Sequence, residues 1–128
     1  MGAPPIRTSL RGVAVLVVDD DRDTVEVLTT SLRQAGALVM PCQSAEDALA
    51  YCRFARPDVV VTDIMMPGRD GYWLLRELKS RFRKVPVVAI TAWGGRERAL
   101  DAGFARYIAK PFDPLALRDT LEALVTHR

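Results

Sequence analysis

The chain has 128 residues, 18 of them basic and 16 acidic, a formal net charge of +2 and 49% hydrophobic residues. That length suits one domain whose core needs neither disulfides nor a structural metal. With no block of like charge, no apolar run near the ~20 residues of a membrane span and no signal-peptide core, the composition argues against direct nucleic-acid binding and membrane insertion, and for a cytoplasmic protein.

In chain order, residues 1–12 hold Pro4, Pro5, Arg7 and Arg11 without periodicity, which reads as a flexible tail or linker ahead of a domain spanning 13–128. The apolar run 13–18 predicts a buried strand ending on Asp19, Asp20 and Asp21. Val25, Leu28, Leu32 and Ala35 recur at helical spacing, Gly36 stands where a C-terminal cap belongs, and Asp21 suits the N-cap. A short strand at 37–40 follows. Ser44 and Asp47 resemble a capping box that opens a helix through Ala48, Leu49, Cys52 and Phe54, closed at Arg56 and Pro57. The β-branched run 58–62 predicts a strand buried on both faces that delivers Asp63. Leu74, Leu75, Leu78 and Phe82 mark a third helix, and Trp73, sharing a stripe with Glu77, Ser80 and Lys84, is expected to face water. Strands at 86–91 and 106–109 flank a short helix at 96–102 closed by Gly103. Leu115, Leu117, Leu121 and Leu124 mark the last helix. Cys42 and Cys52, too few for a zinc site, read as reduced structural thiols. Five alternations of strand and helix predict an α/β fold with a parallel sheet covered on both faces.

Chemistry gathers at the strand ends. Asp19, Asp20, Asp63 and Lys110 follow strands and Thr91 ends one, at the carboxyl ends where open α/β sheets place their sites. Each alone has a dull explanation, since Asp caps helices, Thr closes strands and Lys is usually a solvated charge. Together they make a site. Packed carboxylates repel one another, and their oxygens suit a hard divalent cation such as Mg2+; the Thr91 hydroxyl and Lys110 ammonium suit phosphoryl oxygens.

The segments 17–20, 63–71, Thr91 with Ala92, and 110–112 resemble, in order and spacing, the signature segments of response-regulator receiver domains of two-component signalling. The resemblance runs from Val13 to about Val125 and implies a flavodoxin-like, doubly wound sheet of strand order 2-1-3-4-5 with five helices. It further implies that Asp63 accepts a phosphoryl group from a histidine kinase or histidine phosphotransfer protein. Asp20 would bind Mg2+ directly, Asp19 mainly through water, and the Met65 backbone carbonyl would complete the protein ligands. Lys110 and Thr91 would hold the phosphoryl group, with Tyr107 changing rotamer as Thr91 moves, and Met65 and Trp93 would flank the acyl phosphate and tune its lifetime. On this reading the chain is a switch that catalyses only its own phosphorylation and dephosphorylation. It would signal to a downstream output protein or domain, with a homodimer among the assemblies open to it. The segment between Thr91 and Lys110 is roughly one helical turn shorter than is usual in that family, which puts the fourth helix in question.

Rival readings are weaker. The run from Asp21 to Val25 fits the Asp-x-Asp-x-Thr/Val pattern of haloacid-dehalogenase-type phosphatases, but that motif belongs at the strand end itself. A calcium-binding EF-hand loop from Asp19 fails at Thr24, where glycine is needed, and at Thr30, where Glu belongs. A receiver-like interaction module that works without phosphate is the remaining alternative.

Overall fold

Apolar, β-branched runs become the strands of one sheet because each can bury both faces. The computed structural model describes residues 9–126. Its elements are β1 (Ala14–Val18), α1 (Arg22–Gln34), β2 (Leu38–Cys42), α2 (Ala45–Cys52), β3 (Val59–Thr62), α3 (Gly71–Arg81), β4 (Val87–Thr91), α4 (Arg96–Ala102), β5 (Arg106–Ala109) and α5 (Pro114–Thr126). All neighbouring strands are parallel and the order is β2-β1-β3-β4-β5, the doubly wound arrangement the family resemblance implies. Among the described residues no helix is long and apolar enough to cross a membrane.

Side chains of period two divide between two cores. Leu16, Val18, Val60, Val87 and Ala89 pack with Ala48 and Leu49 of α2, Leu74 and Leu78 of α3, and Ala99 of α4. Val15, Val17, Val59, Val61, Val88 and Ile90 pack on the other face with Leu28 and Leu32 of α1 and Leu117 and Leu121 of α5. Three of the helices start on side-chain caps. Ser44 Oγ accepts the Asp47 amide at 3.1 Å, the Asp70 carboxyl accepts the Trp73 amide at 2.9 Å, and Asp113 accepts from Leu115 at 3.0 Å beside Pro114. Asp21 stands at the N-cap of α1 but caps no amide; its carboxyl takes the Thr24 hydroxyl at 2.7 Å instead.

Several local expectations are corrected. The packed body begins before Val13: Leu10 is fully buried in the α1/α5 core, and its amide donates to Ala35 O at 3.0 Å. Residues 1–8 of the expected tail lie outside the described residues. β2 runs through Pro41, which an edge strand tolerates because one row of its backbone groups needs no partner. Helix α2 stops at Cys52, so Phe54 leaves the apolar stripe and is 90% exposed. Trp73 is half-buried against the core rather than facing water, with the Arg69 guanidinium 5.2 Å from its ring centroid.

Gly71 sets the path of the loop between β3 and α3. Its amide donates to Ile64 O at 2.9 Å, and a Cβ there would fall 2.5 Å from the Asp63 carbonyl oxygen and 2.8 Å from Ile64 Cα. Only hydrogen fits. Gly71→Ala should therefore cost about 1–3 kcal/mol of stability in urea unfolding by overpacking. Gly94→Ala, which meets nothing within 4 Å, should stay within about 0.5 kcal/mol. Equal losses in the two variants would contradict the close approach.

Burial, reinforced by the charges of Asp47 and Cys52, pushes the Cys42 thiol up to about 11, and burial alone raises Cys52. Folding thus favours the neutral thiol, and the reactive thiolate is scarce near neutral pH. Alkylation of Cys42 by iodoacetamide in the folded chain should keep accelerating well past pH 9. A rate that levels off at pH 9, as for a free thiol, would contradict this burial.

Candidate functional site

The parallel register itself assembles the site. Val18 of β1 lies opposite Thr62 of β3, so the next residues, Asp19 and Asp63, emerge side by side, joined by the Asp63 amide donating to Val18 O at 2.9 Å. Thr91 of β4 pairs with Ala109 of β5, and Lys110 follows, its amide donating to Thr91 O at 2.9 Å. Asp19, Asp63 and Thr91 are buried, whereas Asp20 is exposed.

Carboxylate oxygens of Asp19, Asp20 and Asp63 lie within 4.8 Å of one another. The Lys110 ammonium donates to Asp19 Oδ2 at 2.7 Å and to Asp63 Oδ2 at 3.0 Å. Each acid uses its other oxygen locally: Asp19 Oδ1 accepts the Asp21 amide at 2.9 Å, and Asp63 Oδ1 accepts the Met65 amide at 3.2 Å. Burial pushes the Asp19 carboxyl up, reinforced by the Asp63 charge, while the Lys110 hydrogen bond and the Asp21 amide pull it down without cancelling the rise. Burial would lower Lys110, but its bonds to Asp19 and Asp63 outweigh that and hold it above the ordinary lysine value. Three carboxylates facing one ammonium leave excess negative charge. Such an all-oxygen donor set fits a hard divalent cation, and the cluster could hold one.

Around this cluster, Thr91 Oγ1 accepts the Trp93 amide at 3.2 Å, and the Tyr107 hydroxyl donates to the Trp93 carbonyl at 3.0 Å. Thr91 and Tyr107 are therefore linked through the two peptide groups of one residue, a connection the sequence did not reveal. Tyr107 is only half-buried, its ring 5.9 Å from the Arg96 guanidinium. Met65 and Trp93 are 56% and 67% exposed and line one cavity of about 210 Å3 with Ile64, Tyr72, Thr91 and Arg98. Asp21 and Asp23 are exposed, and Asp21 is engaged with Thr24, so the phosphatase-like pair stands outside the cluster. Helix α4 is seven residues long and starts on Gly95 in the left-handed region, with no side-chain cap, in keeping with the short segment read from the sequence.

Comparison with known proteins agrees with this geometry. Residues 15–122 match the model of the response regulator receiver domain family. The uncharacterized 14.6 kDa protein in the sodA1 3' region of Leptolyngbya boryana is 36% identical over 114 residues, 85% of this chain and 87% of that one. Response regulator protein FleR of Pseudomonas aeruginosa is 39% identical over 108 residues, 82% of this chain but only 23% of its own length. The chemotaxis response regulator CheY4 of Vibrio cholerae superposes with a TM-score of 0.81 at 27% identity, covering 88% of this chain and 98% of that structure. A two-faced parallel sheet of that strand order, an acid cluster and lysine at its strand ends, and a family match over most of the sequence lead to one conclusion: the chain belongs to the response regulator receiver domain family.

Proposed function

We propose that the chain is a phosphoacceptor signalling switch in which Asp63 takes a phosphoryl group from a phosphohistidine of a histidine kinase or histidine phosphotransfer protein. The observation that carries this reading is the Lys110 ammonium spanning Asp19 and Asp63 at 2.7 and 3.0 Å. It holds the Asp63 carboxylate in a fixed pose and stands ready for phosphoryl oxygens. An Asp63 oxygen attacks phosphorus, the P–N bond of the donor breaks, and the imidazole leaves with the bonding electrons. A carboxylate nucleophile needs no activating base. Asp20, Asp63 and the Met65 carbonyl, with Asp19 acting mainly through water, would hold Mg2+, which when bound would neutralise phosphoryl charge. Lys110 then shifts its hydrogen bonding from Asp63 toward the new phosphoryl oxygens.

Thr91 relays the event. Its hydroxyl turns to the phosphoryl group, loosening the Trp93 amide that it accepts in this structure, and Tyr107, bonded to the carbonyl of the same residue, responds. Met65 and Trp93, at the mouth of the neighbouring cavity, screen the acyl phosphate from attacking water and lengthen its life. The chain thus acts on itself alone and passes the change to an output partner. In an interaction module independent of phosphate Lys110 would serve only to neutralise the two buried acids, and uptake of phosphate separates the two readings.

Incubation with acetyl phosphate and Mg2+ should add one phosphate by mass spectrometry. Asp63→Asn should take up none. Thr91→Ala should still be modified, but the phosphate-induced NMR shifts around Tyr107 should largely disappear. Undiminished modification of Asp63→Asn would remove the acceptor, and wild-type shifts in Thr91→Ala would remove the relay.

A further inference from the structure

The end of the sheet opposite the acidic cluster carries a second charged concavity. Beside the start of β4 lies a cavity of about 290 Å3 with Lys79, Arg83 and Lys84 at its rim and Val85, Pro86 and Leu124 along its wall. Among the described residues none of the three cations forms a salt bridge, whereas neighbouring Arg81 pairs with Glu77 at 3.4 Å. Cations elsewhere near cavities are engaged: Arg98 sits 4.7 Å from the centre of the Tyr72 ring, and Arg118 bonds Ser31 and Gln34.

The helix dipole accounts for part of this charge and not the rest. Lys79 and Arg81 occupy the last turn of α3, where cations offset the negative end of the helix. Arg83 and Lys84 lie past the C-cap residue Phe82, beyond the turn in which that effect acts. The Lys79 ammonium lies against Gly103, which has φ 117° and where a Cβ would run into it. Lys79, Arg83 and Lys84 are all exposed at this hollow, so an anion seated there would meet three cations without displacing an existing ion pair.

We propose that this cavity binds a small organic anion, a phosphate monoester or a dicarboxylate. Arg83 and Lys84, with Lys79, would hold the charged group, and its carbon skeleton would rest on Val85, Pro86 and Leu124. The planar fork of Arg83 matches two acceptor oxygens at once, and the lysines add point charges. The volume falls just below the range of about 300–1,000 Å3 for ligand pockets, which suits a compact ligand rather than a dinucleotide or a peptide.

Titration of the 15N-labelled chain with glycerol 3-phosphate and, separately, succinate tests this. EDTA in the buffer prevents any metal at the acidic cluster from recruiting the anion, so failure here would leave the Asp63 reading untouched. Saturable NMR shifts are expected at the amides of Val85 and Gly103, and the probe that saturates first identifies phosphate or carboxylate as the preferred group. Arg83→Glu combined with Lys84→Glu should weaken binding by about tenfold or more, while Arg53→Glu, an exposed cation outside the cavity, should change it by less than about twofold. Shifts that fail to saturate with either probe would overturn the proposal, as would shifts centred on Asp19 and Lys110. An equal loss in Arg53→Glu would also overturn it, indicating a diffuse cationic surface of the kind a nucleic acid meets.

Discussion

Register between β1 and β3 is the constraint on which the rest depends. Because Val18 and Thr62 are opposite one another in a parallel pair, Asp19 and Asp63 leave the sheet at the same height and are buried together. Two buried acids side by side repel, and burial pushes the Asp19 carboxyl up. Lys110, delivered from the far edge of the sheet by β5, answers both at once. A slip of one residue in either pairing would turn side chains of the strand to the opposite core and separate the acids. The two-faced hydrophobic packing that fixes the register therefore also fixes the site.

The remaining oxygens are held by backbone rather than by side chains. The Asp21 amide holds Asp19 and the Met65 amide holds Asp63, while the close approach of Gly71 keeps the loop after β3 against the Asp63 peptide. Rigid acids on a packed sheet face a loop of different character. The stretch after Thr91 carries Gly94 and Gly95, exposes Trp93, and leads into a short helix without a side-chain cap. Few buried contacts hold that stretch, and it contains the peptide groups joining Thr91 to Tyr107. A fixed chemical centre beside a lightly held loop is the arrangement a switch requires, since bound ligand can shift only an element whose alternatives are close in free energy.

Much of this was legible in the sequence, for a physical reason. Strand ends of a parallel sheet lie on one side, so Asp19, Asp20, Asp63, Thr91 and Lys110 could be brought together from their positions after apolar runs alone. What escaped depends on contacts that carry no periodicity. Leu10 is a lone apolar residue in a polar stretch, and its burial follows from a backbone bond to Ala35. Phe54 fits the helical spacing of α2, yet the helix ends two residues earlier and leaves it exposed. The helical stripe of Trp73 points to water, but its ring lies half-buried beneath Arg69. The Trp93 link between Thr91 and Tyr107 is made by main-chain atoms, which sequence does not distinguish. The basic hollow at the other end unites α3, β4 and α5, and charge counted along the chain shows no block there.

A crystal structure of the chain with Mg2+ and beryllium trifluoride, which shares the shape and charge of a phosphoryl group, tests the central claim most directly. The account predicts the adduct on the Asp63 carboxylate, with Lys110 contacting a fluoride and the Thr91 hydroxyl turned from the Trp93 amide toward it. An adduct on Asp19 or Asp20, or none while Lys110 still bridges Asp19 and Asp63, would contradict it.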